Sequence, residues 1–205
     1  MRHFVLFLVI LSLSSCKKEE QSFHDNGKVH EVYSVDDQGK KHGIYTRFDL
    51  EGNKMETAHY THGMLDGERL IYYPEGTKEI REVYINDQLE GSYQRFDQEG
   101  NLTFEAQYTK NILGGIAKSY YSNGTLKEEV TFVNNEENGP FTEYHENGKL
   151  AWKGTYRNGD NEFGVLEEYD VNGMLIKKLN CDERGICKTI WTKEDGDISE
   201  NNTDA

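Results

Sequence analysis

The chain has 205 residues, a formal net charge of −14 and a mean hydropathy of −0.84. So acidic a protein lacks the basic stripe that nucleic acid binding needs, and anionic lipid headgroups are disfavoured for the same reason. Residues of the apolar class make up only 35%, so any core has to be thin.

Residues 1–15 (MRHFVLFLVILSLSS) join a short basic start to an apolar run from Phe4 to Leu13. The run is too short for a stable bilayer span and reads as a secretory signal. Cys16 follows Leu13-Ser14-Ser15, an order that resembles the bacterial lipobox, where the cysteine is acylated and becomes the new N-terminus. Lipidation at Cys16 is the expectation, with a plain signal peptide as the alternative; two or three acyl chains anchor far more firmly than one. Removing 1–15 takes away one positive charge, Arg2, and no negative one, so −14 becomes −15. Lys18-Glu19-Glu20 resembles the surface-export signal of some bacterial lipoproteins. The expected location is the bacterial cell envelope, as an outer-membrane lipoprotein, with surface display as the finer expectation. Residues 16–26 read as an acylated tether, and 27–42 as a degenerate half-repeat that forms an N-terminal cap.

From Gly43 onward the chain repeats itself. Glycines come in pairs nine apart: Gly43/Gly52, Gly67/Gly76, Gly91/Gly100, Gly115/Gly124, Gly139/Gly148 and Gly164/Gly173. The first member recurs every 24 residues until the last step, which is 25. Five residues after each first glycine stands a ring: Phe48, Tyr72, Phe96, Tyr120, Tyr144 and Tyr169. Eight after the second glycine stands another: Tyr60, Tyr84, Tyr108, Phe132 and Tyr156, with Cys181 in the sixth copy. Four positions held in register over six copies mark a repeat array.

Each unit reads as a β-hairpin. The segments ending in Gly52, Gly76, Gly100, Gly124, Gly148 and Gly173 suit a type I turn closed by a glycine in the left-handed conformation of a G1 bulge. Pro74 falls where its fixed φ fits. Alternation along the strands predicts that Phe96 shares a face with Leu102, Phe104, Ala106 and Tyr108. In the fifth unit Tyr144 is expected beside Leu150, Trp152, Gly154 and Tyr156. The opposite face would be polar, with Arg95, Asp97, Thr103, Glu105 and Gln107, and then Glu143, His145, Lys149, Lys153 and Thr155. No helix-period segment follows the signal. The expected fold is all-β: one elongated sheet of tandem hairpins over 43–191, spanning roughly 60 Å at about 4.8 Å per strand.

After the array, Cys181 and Cys187 flank 182–186. In an exported protein they are expected to pair as a disulfide, with two thiols as the alternative. A metal site on them is not expected, since no other sulfur or well-spaced histidine accompanies them. Residues 192–205 are acidic, have nothing to bury and read as a disordered tail.

The pattern G-x-x-x-x-[YF]-x-x-[EN]-G, followed by a strand ending in tyrosine, resembles the MORN repeat, in the bacterial variant often labelled an antitoxin component. The resemblance covers 43 to about 180 and implies stacked hairpins that act as scaffolds or binding modules. Strong acidity and an export signal depart from the phospholipid-linked and cytosolic members.

The residues themselves suggest no enzyme and no cofactor. His59 and His62 read as a solvated pair. The neighbours Glu128-Glu129 and Glu167-Glu168 fall on opposite faces of a strand and form no dyad within it. The glycines follow the 24-residue period and not a phosphate loop. The expected role is a non-catalytic, lipid-anchored scaffold for another protein. The alternatives are a carbohydrate-binding module, which exposed Tyr73, Tyr93 and Tyr121 would support, and an immunity-like protein neutralising a toxin. No nucleic acid is expected as a partner, and the membrane only through the N-terminal lipid.

Overall fold

The structure, a computed structural model, describes residues 18–198. Cys16, the 1–15 segment and 199–205 lie outside the described residues. In chain order the first strands are β1 (Lys18–Phe23), β2 (Val29–Val35), β3 (Lys41–Phe48), β4 (Lys54–Thr61), β5 (Met64–Tyr72) and β6 (Lys78–Ile85). Next come β7 (Gln88–Leu89), β8 (Gly91–Phe96), β9 (Leu102–Thr109), β10 (Ile112–Leu113), β11 (Gly115–Tyr120) and β12 (Leu126–Val133). The last are β13 (Glu136–Tyr144), β14 (Leu150–Tyr156), β15 (Gly164–Tyr169), β16 (Leu175–Cys181), β17 (Cys187–Thr192) and β18 (Gly196–Asp197). Together they make one 18-stranded antiparallel sheet. Each strand pairs with its sequence neighbours; β7 with β8, and β10 with β11, are single strands interrupted at Glu90 and Gly114.

The two edges of this meander turn differently. On one edge the chain reverses through four-residue turns ending in a left-handed glycine, such as Gly124 at φ 81°. On the other, the central units use two-residue turns with both residues at positive φ: His62-Gly63, Asn86-Asp87, Lys110-Asn111 and Asn134-Asn135. That is the type I′ hairpin, whose twist matches the flanking strands. These joints are thus tight, defined turns, where the sequence suggests only plain loops between units. The added residue of the fifth unit enlarges the corresponding turn at 157–161, where Arg157 N–H donates to the Asn161 carbonyl.

The expected faces need correction, and the reason is a bulge. Arg95 faces Phe104, but Phe96 faces Leu102, which leaves Thr103 without a partner. The same shift recurs at the start of the return strand in six other units. An extra residue inverts the alternation beyond it. Face A therefore holds Tyr60, Tyr84, Tyr108, Phe132 and Tyr156 together with Tyr93, Arg95, Phe104, Ala106, Phe141 and Glu143. Face B holds Phe48, Tyr72, Phe96, Tyr120, Tyr144 and Tyr169. Contacts agree: Tyr93 lies 5.9 Å from Tyr108 between ring centroids, while Tyr120 Oη donates to Glu105 on the other side. Phe96 and Tyr108 project to opposite sides, and Arg95 and Glu143 leave the polar set assigned to them.

Face A carries the buried row. Crossing the sheet, it reads Tyr45–Ala58, Arg69–Glu82, Tyr93–Ala106, Ala117–Val130, Phe141–Gly154 and Leu166–Leu179. Three of these pairs, Tyr45–Ala58, Tyr93–Ala106 and Phe141–Gly154, set a large side chain beside a small one, which lets neighbours interlock on a surface with no second layer. One step along, five of the six first glycines face a ring, Gly43 with Tyr60, Gly67 with Tyr84, Gly91 with Tyr108, Gly115 with Phe132 and Gly139 with Tyr156, while Gly164 faces Cys181. These five glycines have φ between 77° and 135°, a region that residues with side chains rarely adopt. At Gly139 a side chain is doubly excluded, by φ of 135° and by Thr131 Cβ at 2.9 Å.

The array is longer than the glycine pairs imply. Residues 18–26, expected to be tether, form β1 and a bulge turn closed by Gly27 at φ 81°. This first unit is docked like the others: His24 Nε2 donates to the Phe48 carbonyl as His145 Nε2 does to that of Tyr169. The 27–42 segment completes it and is not a half-unit. At the other end, 192–198 is not featureless: Trp191 and Thr192 pair with Asp197 and Gly196.

Gly154 tests the interlocking directly. Its backbone is not left-handed, but a Cβ would sit 2.7 Å from Phe141 Cε1 and 2.8 Å from Leu166 Cγ. Gly154→Ala is expected to cost about 1–3 kcal/mol in urea unfolding, the usual overpacking penalty. Unchanged stability would contradict the packing described.

Candidate functional site

The turns are tied from unit to unit by side chains reaching about one repeat along the chain. Tyr73 Oη donates to the Phe96 carbonyl at 2.9 Å and Tyr121 Oη to that of Tyr144 at 2.8 Å. Where the same position is Asp, it caps its own turn instead: Asp49 Oδ1 accepts from Glu51 N and Asn53 N. On the opposite edge Asp87, Asn111 and Asn135 each grip a leucine at two points. Asn111 N–H donates to the Leu89 carbonyl while its Oδ1 accepts from Leu89 N. These bonds fix the spacing and twist of the surface.

Face A carries charge among its rings. Glu56 and Glu82 are buried, and Arg69 joins them, with Nε 2.7 Å from Glu56 Oε1 and Nη1 2.8 Å from Glu82 Oε2. Arg47 completes the row at 3.1 Å. Burial pushes Glu56 up, but Arg69 and Arg47 outweigh it and leave the carboxyl below its usual range. Further along, Glu128 and Glu143 face each other across β12 and β13. Burial and then the Glu143 charge raise Glu128; burial leads for Glu143 and Glu137 too. The expectation for Glu128-Glu129 holds within the strand: Glu129 turns to face B and pairs with Lys118 at 3.1 Å. The facing acids come from two different strands, a pairing visible only once the register is known.

On face B lysines lie over the rings: Lys54 over Tyr72, Lys78 over Phe96 and Lys153 over Tyr169, at 4.6, 5.6 and 5.8 Å from the centroids. Glu167 sits between Lys153 and Lys178 and accepts from Tyr169 Oη; these partners, Lys153 first, lower it to about 2. Between these groups run exposed Ile116, Pro140 and Val165, over a shallow groove floored by Thr131, Thr142 and Thr155.

Of the sequence-derived sites, Cys16 lies outside the described residues. Cys181 and Cys187 form a facing pair and are joined as a disulfide. The six turn glycines have φ between 78° and 93°. Tyr93, placed on the polar face as a sugar-stacking candidate, belongs to face A against Phe104 and Tyr108. Tyr73 and Tyr121 spend their hydroxyls on neighbouring turns. His59 and His62 do not converge: His59 Nδ1 bonds the Asp66 carbonyl, and His62 Nδ1 meets Asp36 Oδ2 at 2.8 Å. That contact spans 26 residues, and only the strand register reveals it.

Residues 65–86, 89–110, 113–134 and 137–158 match the family described as the MORN repeat variant. These four units are MORN repeats. Their boundaries fall at the type I′ turns, so each MORN repeat here is a strand, a bulge turn and a return strand. No protein of curated function matches the chain. The hairpins on either side of 65–158 continue the same sheet.

The facing acids predict a pH effect. A carboxylate with a raised folded pKa costs stability above that pKa, and the cost fades as acid protonates the folded form. Glu143→Gln is expected to raise Tm at pH 7, with the gain shrinking as pH falls towards the ordinary glutamate value of 4.5. A gain that grows on acidification would contradict this.

Proposed function

We propose that the protein is a non-catalytic scaffold, held at the bacterial cell envelope by lipid on Cys16, that binds another protein along face B of its central units. The observation that carries this is the stripe of Ile116, Pro140 and Val165. Ile116 and Val165 are 55% and 53% exposed, and both stand on a surface locked by turn-to-turn bonds. Apolar side chains in a row on a rigid sheet favour a protein partner over a small ligand. Lys118–Glu129 and Lys153–Glu167 pairs border the stripe and supply a polar rim. The chain's negative charge favours a partner with basic groups around an apolar patch.

The carbohydrate reading loses its support, because Tyr73, Tyr93 and Tyr121 are engaged within the array and lysines cover several face-B rings.

Two measurements check the two halves. Cys16→Ser is expected to abolish acyl labelling and move the protein to the soluble fraction; continued labelling would refute the anchor. Ile116→Lys and Val165→Lys should leave unfolding unchanged, since both positions are exposed, yet weaken capture of the envelope partner about tenfold or more. Equal capture by both variants would refute the face-B surface.

A further inference from the structure

Two histidines and an aspartate from three separate segments meet at the edge of the first units. Asp36 opens the turn between β2 and β3, His42 stands at the start of β3, and His62 opens the type I′ turn between β4 and β5. One ligand atom from each lies within 4.8 Å of the others. The two imidazole rings are 4.9 Å apart, and His62 Nδ1 is 2.8 Å from Asp36 Oδ2. The carboxylate is already fixed: Asp36 Oδ1 accepts from the backbone N–H groups of Gln38 and Lys40, which leaves Oδ2 turned to the histidines. The Asp36 side chain is 11% exposed and that of His62 63%, so the cluster has a held base and an open mouth.

The repeat itself shows that this is a departure and not a periodic feature. Two units on, Glu90 is the side chain that accepts the turn N–H, bonding Lys110 N as His42 Nδ1 accepts from His62 N. A single acceptor therefore satisfies the turn. The first units instead place two imidazoles and a carboxylate there, more donor atoms than the turn requires.

We propose that Asp36, His42 and His62 form a binding site for a divalent transition metal ion, zinc being the best fit. Two imidazole nitrogens favour zinc, copper or nickel over calcium and magnesium, which require mainly oxygen ligands. Three protein ligands with an open fourth position for water match the tetrahedral preference of zinc. The ion would staple the 36–39 turn to the 62–63 turn and so lock the first units of the array together.

The test is calorimetric titration of zinc chloride into the full chain after removal of metal by a chelator, with variants in parallel. H62N suits the left-handed φ of 51°, which asparagine adopts readily. D36N keeps an oxygen for the turn N–H groups while losing the charge. H42Q removes the second ring, and H24Q removes a histidine outside the cluster. One zinc per chain is expected for the parent and for H24Q, with affinity about tenfold or more weaker in H62N, H42Q and D36N. Zinc should raise the Tm of the parent and not that of H62N. No stoichiometric binding by the parent, or equal binding by H62N and D36N, would overturn the site.

Discussion

Rings packed against one another along one face of a single sheet are the contact on which this protein is built. A sheet with no second layer has nothing to bury its side chains against except its own neighbours. Tyr108 stands opposite Gly91 and Tyr156 opposite Gly139, and each ring packs along the sheet against the next large side chain, Tyr93 and Phe141. Phe141 and Tyr156 stack at 4.3 Å in this way, an arrangement worth about 0.5–1.5 kcal/mol beyond its area. Across the sheet the same economy appears in the alternation of Tyr93 with Ala106 and Phe141 with Gly154. The core is thus a strip along face A, completed where packing fails by the Arg69 bridge between Glu56 and Glu82.

Such a strip leaves the strand ends without support, and the edges supply it by hydrogen bonding. Tyr and His at the first turn position reach the next turn, while Asp at that position closes its own. The two-point grip of Asn111 on Leu89, repeated at Asn135 on Leu113, does the same on the other edge. Stability in a repeat array sums over units and their interfaces, and here the interfaces are visibly both apolar and polar. The regular surface that results is the physical basis for reading the protein as a scaffold. Its exposed stripe on face B lies opposite the strip that holds the sheet together, so binding there need not disturb the fold.

The hairpin, its bulge turn and the single sheet were legible because glycine, proline and ring positions each demand a particular backbone or neighbour. Faces were not, because one unpaired residue such as Thr103 reverses the alternation and carries no compositional mark. Its polarity fits either side, so sequence alternation alone placed Phe96 with Tyr108. The type I′ turns had a signal, Asn-Asp, Lys-Asn and Asn-Asn at the 24-residue period, but it is weaker than Asn-Gly. The first hairpin is hidden because Lys18 stands where the partner glycine of Gly27 would be and Val35 where the second ring would be, so Phe23 alone keeps the pattern. Asp36, His42 and His62 could not be assembled from the sequence, since their meeting depends on which turns share an edge.

The placement of the two ring rows on opposite faces decides both the packing strip and the surface left for a partner. Nuclear Overhauser contacts between assigned ring protons measure it directly. Contacts are expected from Tyr108 to Tyr93 and to the Gly91 α-protons, and none from Tyr108 to Phe96. Contacts between Tyr108 and Phe96 would contradict it.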